Sequence, residues 1–74
     1  MSKPTRITNS IRALRFARGE MTQAELAQRI GVTRQTVIAI EQGRYSPSLE
    51  VAFQIALVFK APLDEVFQYP GASQ

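Results

Sequence analysis

The sequence contains no cysteine and no histidine. The first absence excludes disulfides, and the two together exclude ordinary zinc, copper or haem sites. They also exclude catalysis by a Ser-His pair, a Cys-His pair or an imidazole acid or base. The four glycines stand singly, so there is no glycine-rich phosphate loop. We therefore expect a protein that is not an enzyme and that binds neither a metal nor a cofactor.

Long apolar runs are also missing from the sequence. No stretch approaches the ~20 consecutive apolar residues of a membrane-spanning helix, and the start of the chain lacks the pattern of a secretory signal. We therefore expect a cytoplasmic chain that has no contact with membranes.

The chain is short, with 74 residues of which 45% are hydrophobic. This is enough for one small domain, and domains of this size usually need a disulfide, a metal or a second subunit for stability. Because the first two are excluded, the sequence predicts a homo-oligomer.

Charge is distributed unevenly along the chain. Residues 1–44 contain eight basic and three acidic side chains, a balance of +5, whereas residues 45–74 contain one basic and three acidic side chains, a balance of −2. Seven of the nine basic residues are arginine, whose planar guanidinium suits phosphates and guanine edges. The basic half favours nucleic acid as a partner; a merely solvated basic face is the alternative.

Apolar spacing and capping residues predict an all-α fold of five short helices. The first helix follows an i, i+4, i+7 pattern that begins at Ile7. A capping box at Thr22–Glu25 starts the second, and Thr33 and Ser48 cap the third and fourth. Pro62 opens a short fifth helix. The inward residues expected on the fourth helix are Leu49, Ala52, Phe53, Ile55, Ala56 and Phe59.

Two short segments favour extended chain over helix. Thr5–Thr8 contains β-branched residues, and Val66–Tyr69 alternates apolar and polar side chains. The two segments are candidates for a small two-stranded ribbon. We expect one domain over residues 7–69, with flexible ends at residues 1–6 and 70–74.

The stretch from Gln23 to Gln42 has the pattern of a helix, a short turn and a second helix. Ala27 is small where two crossing helices approach each other, and Gly31 suits a turn position with positive φ. The apolar residues expected to meet between the helices are Leu26, Ile30, Val32, Val37 and Ile40. The second helix of this motif is the third predicted helix of the chain, and its outward positions are Arg34, Gln35, Thr36, Ile38 and Ala39. This is the arrangement of a DNA-binding helix-turn-helix.

The segments Thr22–Ala27, Gly31–Val37 and Ile40–Arg44 closely resemble the lambda-repressor-like (XRE) helix-turn-helix family. The resemblance continues through Tyr45–Leu49 and Pro62–Phe67 and covers nearly the whole chain. It implies a five-helix, lambda-repressor-like DNA-binding domain in a compact single-domain branch of the family. The function that it implies is that of a dimeric, sequence-specific transcriptional regulator.

Two features depart from the family pattern. One extra residue lies between Gly19 and Thr22, which predicts a bulge in the first turn. Ile38 stands at an outward position where the family more often has Ser or Asn. Its side chain either contacts a thymine methyl group or packs at the edge of the helix.

The outward side chains of the third predicted helix indicate contacts to DNA bases. Arg34 suits guanine, and Gln35 suits adenine. A cation at a helix start opposes the dipole, which favours a functional use of Arg34 over a solvated one. The residues expected to contact phosphates are Gln23, Thr33, Thr36, Arg44, Tyr45 and Ser46. For the threonines, helix capping is the alternative. Arg12, Arg18 and Arg29 are expected to be solvated charges.

The resemblance also implies an ion pair between Arg15 and Glu41, which links the first helix to the end of the recognition helix. Each residue follows an apolar inward one, so we expect the pair to be shielded from water. At the acidic end of the chain, an apolar patch is expected to form a two-fold interface. Its members are Leu57, Leu63, Val66 and Phe67.

Together these features predict a regulator that binds double-stranded DNA with sequence specificity. We expect a repressor or autoregulator that occupies an inverted-repeat operator as a homodimer. Within the same fold, an antitoxin or a restriction–modification controller is the alternative. From another class, the alternative is a protein-interaction module that does not bind DNA. The sequence identifies no small-molecule effector.

Overall fold

The computed structural model describes residues 5–44 and 46–70, which form five helices and two short strands. In chain order the elements are β1 (Thr8–Asn9), α1 (Ile11–Ala17), α2 (Gln23–Ile30), α3 (Arg34–Glu41), α4 (Leu49–Phe59), α5 (Leu63–Val66) and β2 (Phe67–Gln68). The expected all-α fold is confirmed. None of these helices has the length and apolar character needed to cross a membrane. The flexible ends expected at residues 1–6 and 70–74 lie mostly outside the described residues.

Side chains cap the helices at the three predicted positions. Thr22 Oγ1 accepts a hydrogen bond from the Glu25 amide at 3.0 Å, and Glu25 Oε1 accepts one from the Thr22 amide at 2.8 Å. Thr33 and Ser48 each accept a bond at 3.2 Å from the amide three residues later. The first amides of a helix lack the carbonyl four residues earlier as a helical partner, so the caps fix the starts of α2, α3 and α4.

The chain before α1 is a strand, and Thr8–Asn9 pairs antiparallel with Phe67–Gln68. The predicted ribbon is therefore confirmed, whereas the helix predicted from Ile7 begins only at Ile11. Pairing with β2 holds this segment extended, and Asn9 Oδ1 accepts a hydrogen bond from the Ile11 amide at 3.1 Å where the helix starts.

The turn between α1 and α2 contains two successive residues with positive φ, Gly19 at 75° and Glu20 at 61°. The Glu20 amide donates to the Phe16 carbonyl at 3.2 Å, and the Met21 amide donates to the Arg15 carbonyl at 2.9 Å. The turn that contains the extra residue thus holds a non-glycine residue in the left-handed region.

The core lies between the helices, and its largest fully buried side chains are Ile11, Leu26, Val37, Ile40, Ile55, Phe59 and Val66. The prediction for α4 holds for Ala52, Ile55, Ala56 and Phe59, which are buried. It is wrong for Leu49 and Phe53, which are 67% and 50% exposed. Phe53 lies four positions after Leu49, and the same stripe of the helix continues to the exposed Leu57. The stripe of α4 that packs into the core is the one beside these exposed residues.

Gly31 ends α2 in the left-handed conformation, with φ 75°. A Cβ at this position meets no atom within 4 Å, so backbone strain alone decides the effect of a substitution. We expect Gly31→Ala to lower the free energy of unfolding in urea by about 1–2 kcal/mol. Gly31→Asn is the matched control and should lose clearly less, because asparagine tolerates this region. Equal losses for the two variants would contradict this explanation.

Candidate nucleic-acid interface

α2 and α3 form the helix-turn-helix. The turn passes through the left-handed Gly31, and the Val32 amide donates to the Ala27 carbonyl at 3.0 Å. Ala27 is only 3% exposed, so a small residue occupies the buried side of α2. The larger side chains that share this part of the core are Leu26, Ile30, Val37 and Ile40. One side of α3 is thus packed inside the domain, and the other side faces solvent.

The solvent-facing side of α3 carries the residues predicted to contact bases. Arg34 and Gln35 are exposed in its first turn. Ile38 lies one turn later and is half-buried, so part of its side chain packs at the helix edge and part remains accessible. The N-terminal turn is the part of a recognition helix that contacts base edges. The three residues therefore lie on the appropriate part of α3.

Two groups of predicted phosphate contacts lie at the ends of α3. At its start, Thr33 caps the helix, and its Oγ1 also lies 3.0 Å from Thr36 Oγ1. Thr33 therefore caps the helix and is also exposed to solvent. Beyond its end, Arg44 and Ser46 are exposed. Tyr45 lies outside the described residues.

A buried ion pair joins the elements around this face. Arg15 Nε lies 2.6 Å from Glu41 Oε2, and the two side chains are 8% and 9% exposed. Arg15 Nη1 donates to the Met21 carbonyl at 2.8 Å, and Gln23 Nε2 donates to Glu41 Oε1 at 3.2 Å. The expected pair is therefore present, and its bonds link α1, the start of α2 and the end of α3. Among the described residues, no buried side-chain nitrogen or oxygen lacks a partner.

A shallow cleft opens beside this ion pair. Arg12 of α1, Gln23 of α2 and Arg34 of α3 are among its lining residues. The Arg12 guanidinium lies 5.4 Å from the centroid of the Phe16 ring, which is a cation–π distance. The lining also includes Arg15, Glu20 and Glu41, so three arginines stand against two carboxylates, a balance of +1. This balance and the positive end of α2 favour an anionic partner at the edge of the α3 face.

The other arginines differ in their surroundings. Arg29 is exposed at the end of α2, as expected. Arg18 is exposed as a residue, but its guanidinium donates a hydrogen bond to the main-chain carbonyl of Phe59. The prediction that Arg18 is only a solvated charge is therefore wrong. The carbonyls in the last turn of a helix lack helical partners, and Arg18 donates a hydrogen bond to such a carbonyl at the end of α4.

The apolar patch predicted at the acidic end is only partly at the surface. Val66 is fully buried, so its predicted place in a dimer interface is wrong. The single turn of α5 directs this side chain into the core, where it packs among the buried residues. Leu57 is 75% exposed, and Leu63 and Phe67 are half-buried.

Sequence reasoning missed two members of this patch, Leu49 and Phe53. With Leu57 they recur every fourth residue along the exposed stripe of α4. Leu49, Leu63 and Phe67 also line one groove, together with Ile7 and Pro47. The term "apolar surface" is used below for Leu49, Phe53, Leu57, Leu63 and Phe67. The four-residue spacing could have revealed the stripe, but an apolar helix offers two such stripes and spacing does not tell which one is covered.

Several known proteins are similar to this chain in sequence. A helix-turn-helix family model matches residues 11–66, from the start of α1 to the end of α5. An HTH-type transcriptional regulator of Archaeoglobus fulgidus is 49% identical over 51 residues, covering 69% of this chain and 72% of that protein. YgzD of Bacillus subtilis, also named as an HTH-type transcriptional regulator, is 46% identical over 59 residues, covering 80% of this chain and 88% of its own length. The cryptic phage CTXphi transcriptional repressor RstR of Vibrio cholerae is 37% identical over 59 residues, which are 80% of this chain and 52% of RstR.

The fold and the exposed face of α3 define a helix-turn-helix domain of the DNA-binding type. The chain belongs to the XRE-type helix-turn-helix family. It is accordingly a DNA-binding regulator of transcription, and the resemblance seen in the sequence is confirmed.

The buried ion pair generates a test of stability. Glu41→Gln keeps the shape of the side chain but leaves Arg15 without a counter-ion. Breaking a buried pair in this way costs about 3–5 kcal/mol, and we expect a loss in this range in urea denaturation. The matched control is Glu50→Gln at an exposed carboxylate in the first turn of α4, which should lose no more than about 1 kcal/mol, the contribution of the helix dipole.

A second variant separates the missing charge from the missing contact. Replacing both partners with apolar residues, as Arg15→Met with Glu41→Leu, should recover part of the lost stability, because no charge then remains buried, although the Met21 carbonyl loses its donor. Wild-type stability of Glu41→Gln would show that the pair does not hold the three helices together.

Proposed function

We propose that this protein is a repressor or autoregulator that binds an inverted-repeat operator as a homodimer. The observation that carries the proposal is the exposed first turn of α3, where Arg34 and Gln35 face solvent on a helix whose other side is buried. Similarity to a phage protein named as a transcriptional repressor supports repression as the mode of regulation.

Base recognition is assigned to the first turn and a half of α3. The major groove of DNA admits an α-helix, and the N-terminal residues of a recognition helix contact the base edges. Arg34 can donate two hydrogen bonds to O6 and N7 of a guanine, and Gln35 can bond N6 and N7 of a neighbouring adenine. Ile38 follows one turn later, where its accessible part can touch a thymine methyl group.

Phosphate contacts are assigned to both sides of the groove. Gln23 is the first residue of α2, where backbone amides favour an anion, and its side-chain nitrogen is held by Glu41. Arg44 and Ser46 are exposed beyond the other end of α3. Contacts at two separated places fix the register of the protein on the duplex without carrying sequence information. The remaining members of the set are Thr33, Thr36 and Tyr45.

The two kinds of contact predict different failures. With an operator selected from random-sequence DNA, Arg34→Ala should cost about 1–3 kcal/mol per half-site and relax the preference at one base pair. Arg44→Ala should weaken binding to all sequences alike and reduce the salt slope by about one. The measurement is an affinity panel of operator variants at two salt concentrations.

The control for this panel is Arg29→Ala, which removes the same charge from an exposed position outside the proposed contacts. It should leave the base preference unchanged. If Arg34→Ala weakened every sequence equally, Arg34 would be a phosphate contact. Binding that ignored both DNA sequence and salt would instead favour a protein-interaction module.

A second copy of the chain is the proposed occupant of the apolar surface. Every described residue that lines the groove between Leu49, Leu63 and Phe67 is apolar, and Phe53 and Leu57 extend the exposed apolar area along α4. Contiguous exposed patches of this kind mark interaction sites. Two-fold pairing covers the same patch on both copies. No residue of the apolar surface belongs to α1, α2 or α3, so pairing through it leaves the exposed first turn of α3 free for DNA.

The dimer sets the form of the operator. Two recognition helices related by a two-fold axis enter successive major grooves when they lie ~34–36 Å apart, which corresponds to half-sites about one helical turn apart. A two-fold protein requires an inverted repeat, because each half-site must present the same edges to an identical helix.

The interface is tested by placing a charge within it. Leu57→Glu and Phe67→Glu should each give a monomer in sedimentation equilibrium, because an apolar interface core does not accommodate an unpaired carboxylate. Leu57 is 75% exposed, so its substitution leaves the core intact. Phe16→Glu is the matched control, since Phe16 is 52% exposed on α1, outside the apolar surface, and this variant should remain a dimer. Dimers for both test variants would mean that the interface lies elsewhere.

A further inference from the structure

Asn9 connects three elements through one side chain. Its Oδ1 accepts a hydrogen bond from the Ile11 amide at 3.1 Å, at the start of α1. Its Nδ2 donates to the Ile40 carbonyl at 3.0 Å and to the Glu41 carbonyl at 3.4 Å, at the end of α3. Its backbone belongs to β1, where it pairs with Phe67 of β2. Both the oxygen and the nitrogen of the Asn9 side-chain amide are therefore hydrogen-bonded.

The bonds to α3 attach the end of this helix to another element. The chain closes the helix end by itself, because Gly43 is left-handed with φ 71°, its amide donates to the Ile40 carbonyl at 3.1 Å, and the Arg44 amide donates to the Ala39 carbonyl at 2.9 Å. These local bonds do not join the helix to the rest of the fold. Asn9 does so, because its side chain donates from β1 to two carbonyls at this end.

Asn9 also lies at the junction between the two surfaces of the proposed function. Through the register of the ribbon it stands opposite Phe67, which belongs to the apolar surface. The neighbouring Ser10 amide donates to the Val66 carbonyl at 2.9 Å, so this junction is held on both sides of Asn9. A short, bonded path thus runs from the apolar surface to the end of α3.

We propose that Asn9 is a positioning residue that fixes α3 relative to the β1–β2 ribbon and thereby sets the orientation of Arg34 and Gln35 in each half-site. Its role rests on the proposed function, because it acts through α3 on DNA and touches no base itself. The ion pair of Glu41 fixes the side-chain contacts of this helix end, and Asn9 fixes its backbone.

The test variant is Asn9→Ser. A serine hydroxyl can still accept a bond from the amide two residues later, so the start of α1 is retained, but it is too short to reach the carbonyls of α3. The variant is neutral, so it does not change the electrostatic attraction to DNA. At a temperature where circular dichroism shows the protein fully folded, we expect operator affinity to fall about tenfold, while affinity for scrambled DNA stays within about twofold.

The matched control is Ser48→Ala, which removes the cap of α4 and touches neither α3 nor the ribbon. Its affinities for operator and scrambled DNA should both equal those of the unchanged protein under the same conditions. Asn9→Ser with unchanged operator affinity overturns the proposal. An equal loss on operator and scrambled DNA also overturns it, since a misplaced recognition helix loses specific contacts first.

A second measurement works without DNA and separates this proposal from the proposed function. The Gly43 amide donates to the Ile40 carbonyl at 3.1 Å and the Arg44 amide to the Ala39 carbonyl at 2.9 Å, next to the bonds of Asn9. Hydrogen exchange of these two amides should be faster in Asn9→Ser than in Ser48→Ala. Unchanged exchange overturns the positioning role even if the protein binds its operator. Faster exchange in a protein that binds no operator would retain the positioning of α3 and contradict the proposed function alone.

Discussion

Two opposite charges, those of Arg15 and Glu41, are shielded from water between α1 and the end of α3, and they cannot separate without leaving one charge buried and unpaired. Arg15 also holds the Met21 carbonyl, and Glu41 also holds the side chain of Gln23. The start of α2 and the end of α3 are therefore fixed to the same side chains. This constraint keeps the two helices of the helix-turn-helix in one geometry, on which a rigid recognition surface depends.

The small core separates two surfaces of opposite character. The start of α3 exposes the basic Arg34 beside the polar Gln35, whereas the stripe of α4 and the groove beside α5 are apolar. A chain of 74 residues buries a limited core, and the proposed binding to a second copy would add further burial. The β1–β2 ribbon connects the two surfaces, because Phe67 borders the apolar groove and Asn9 contacts α3.

Local features could be predicted from the sequence, and long-range ones could not. The caps at Thr22 and Thr33 depend on hydrogen bonds to residues three positions away, so their type and spacing indicate where the helices begin. The strand at Thr8–Asn9 depends on pairing with β2, near the other end of the chain. Similarly, the exposure of Phe53 depends on which stripe of α4 the other helices cover. The donors from Asn9 to α3 reach across 31 residues, which no local pattern indicates.

The central claim is that the exposed first turn of α3 is the part of the protein that enters the DNA groove. An NMR titration of isotope-labelled protein with an operator selected from random DNA tests this claim most directly. We predict that the largest resonance shifts occur at Arg34, Gln35 and Ile38, with a second group at the start of α2, while the resonances of Leu57 stay nearly unchanged. The largest shifts at the apolar surface, with α3 unaffected, would contradict the claim.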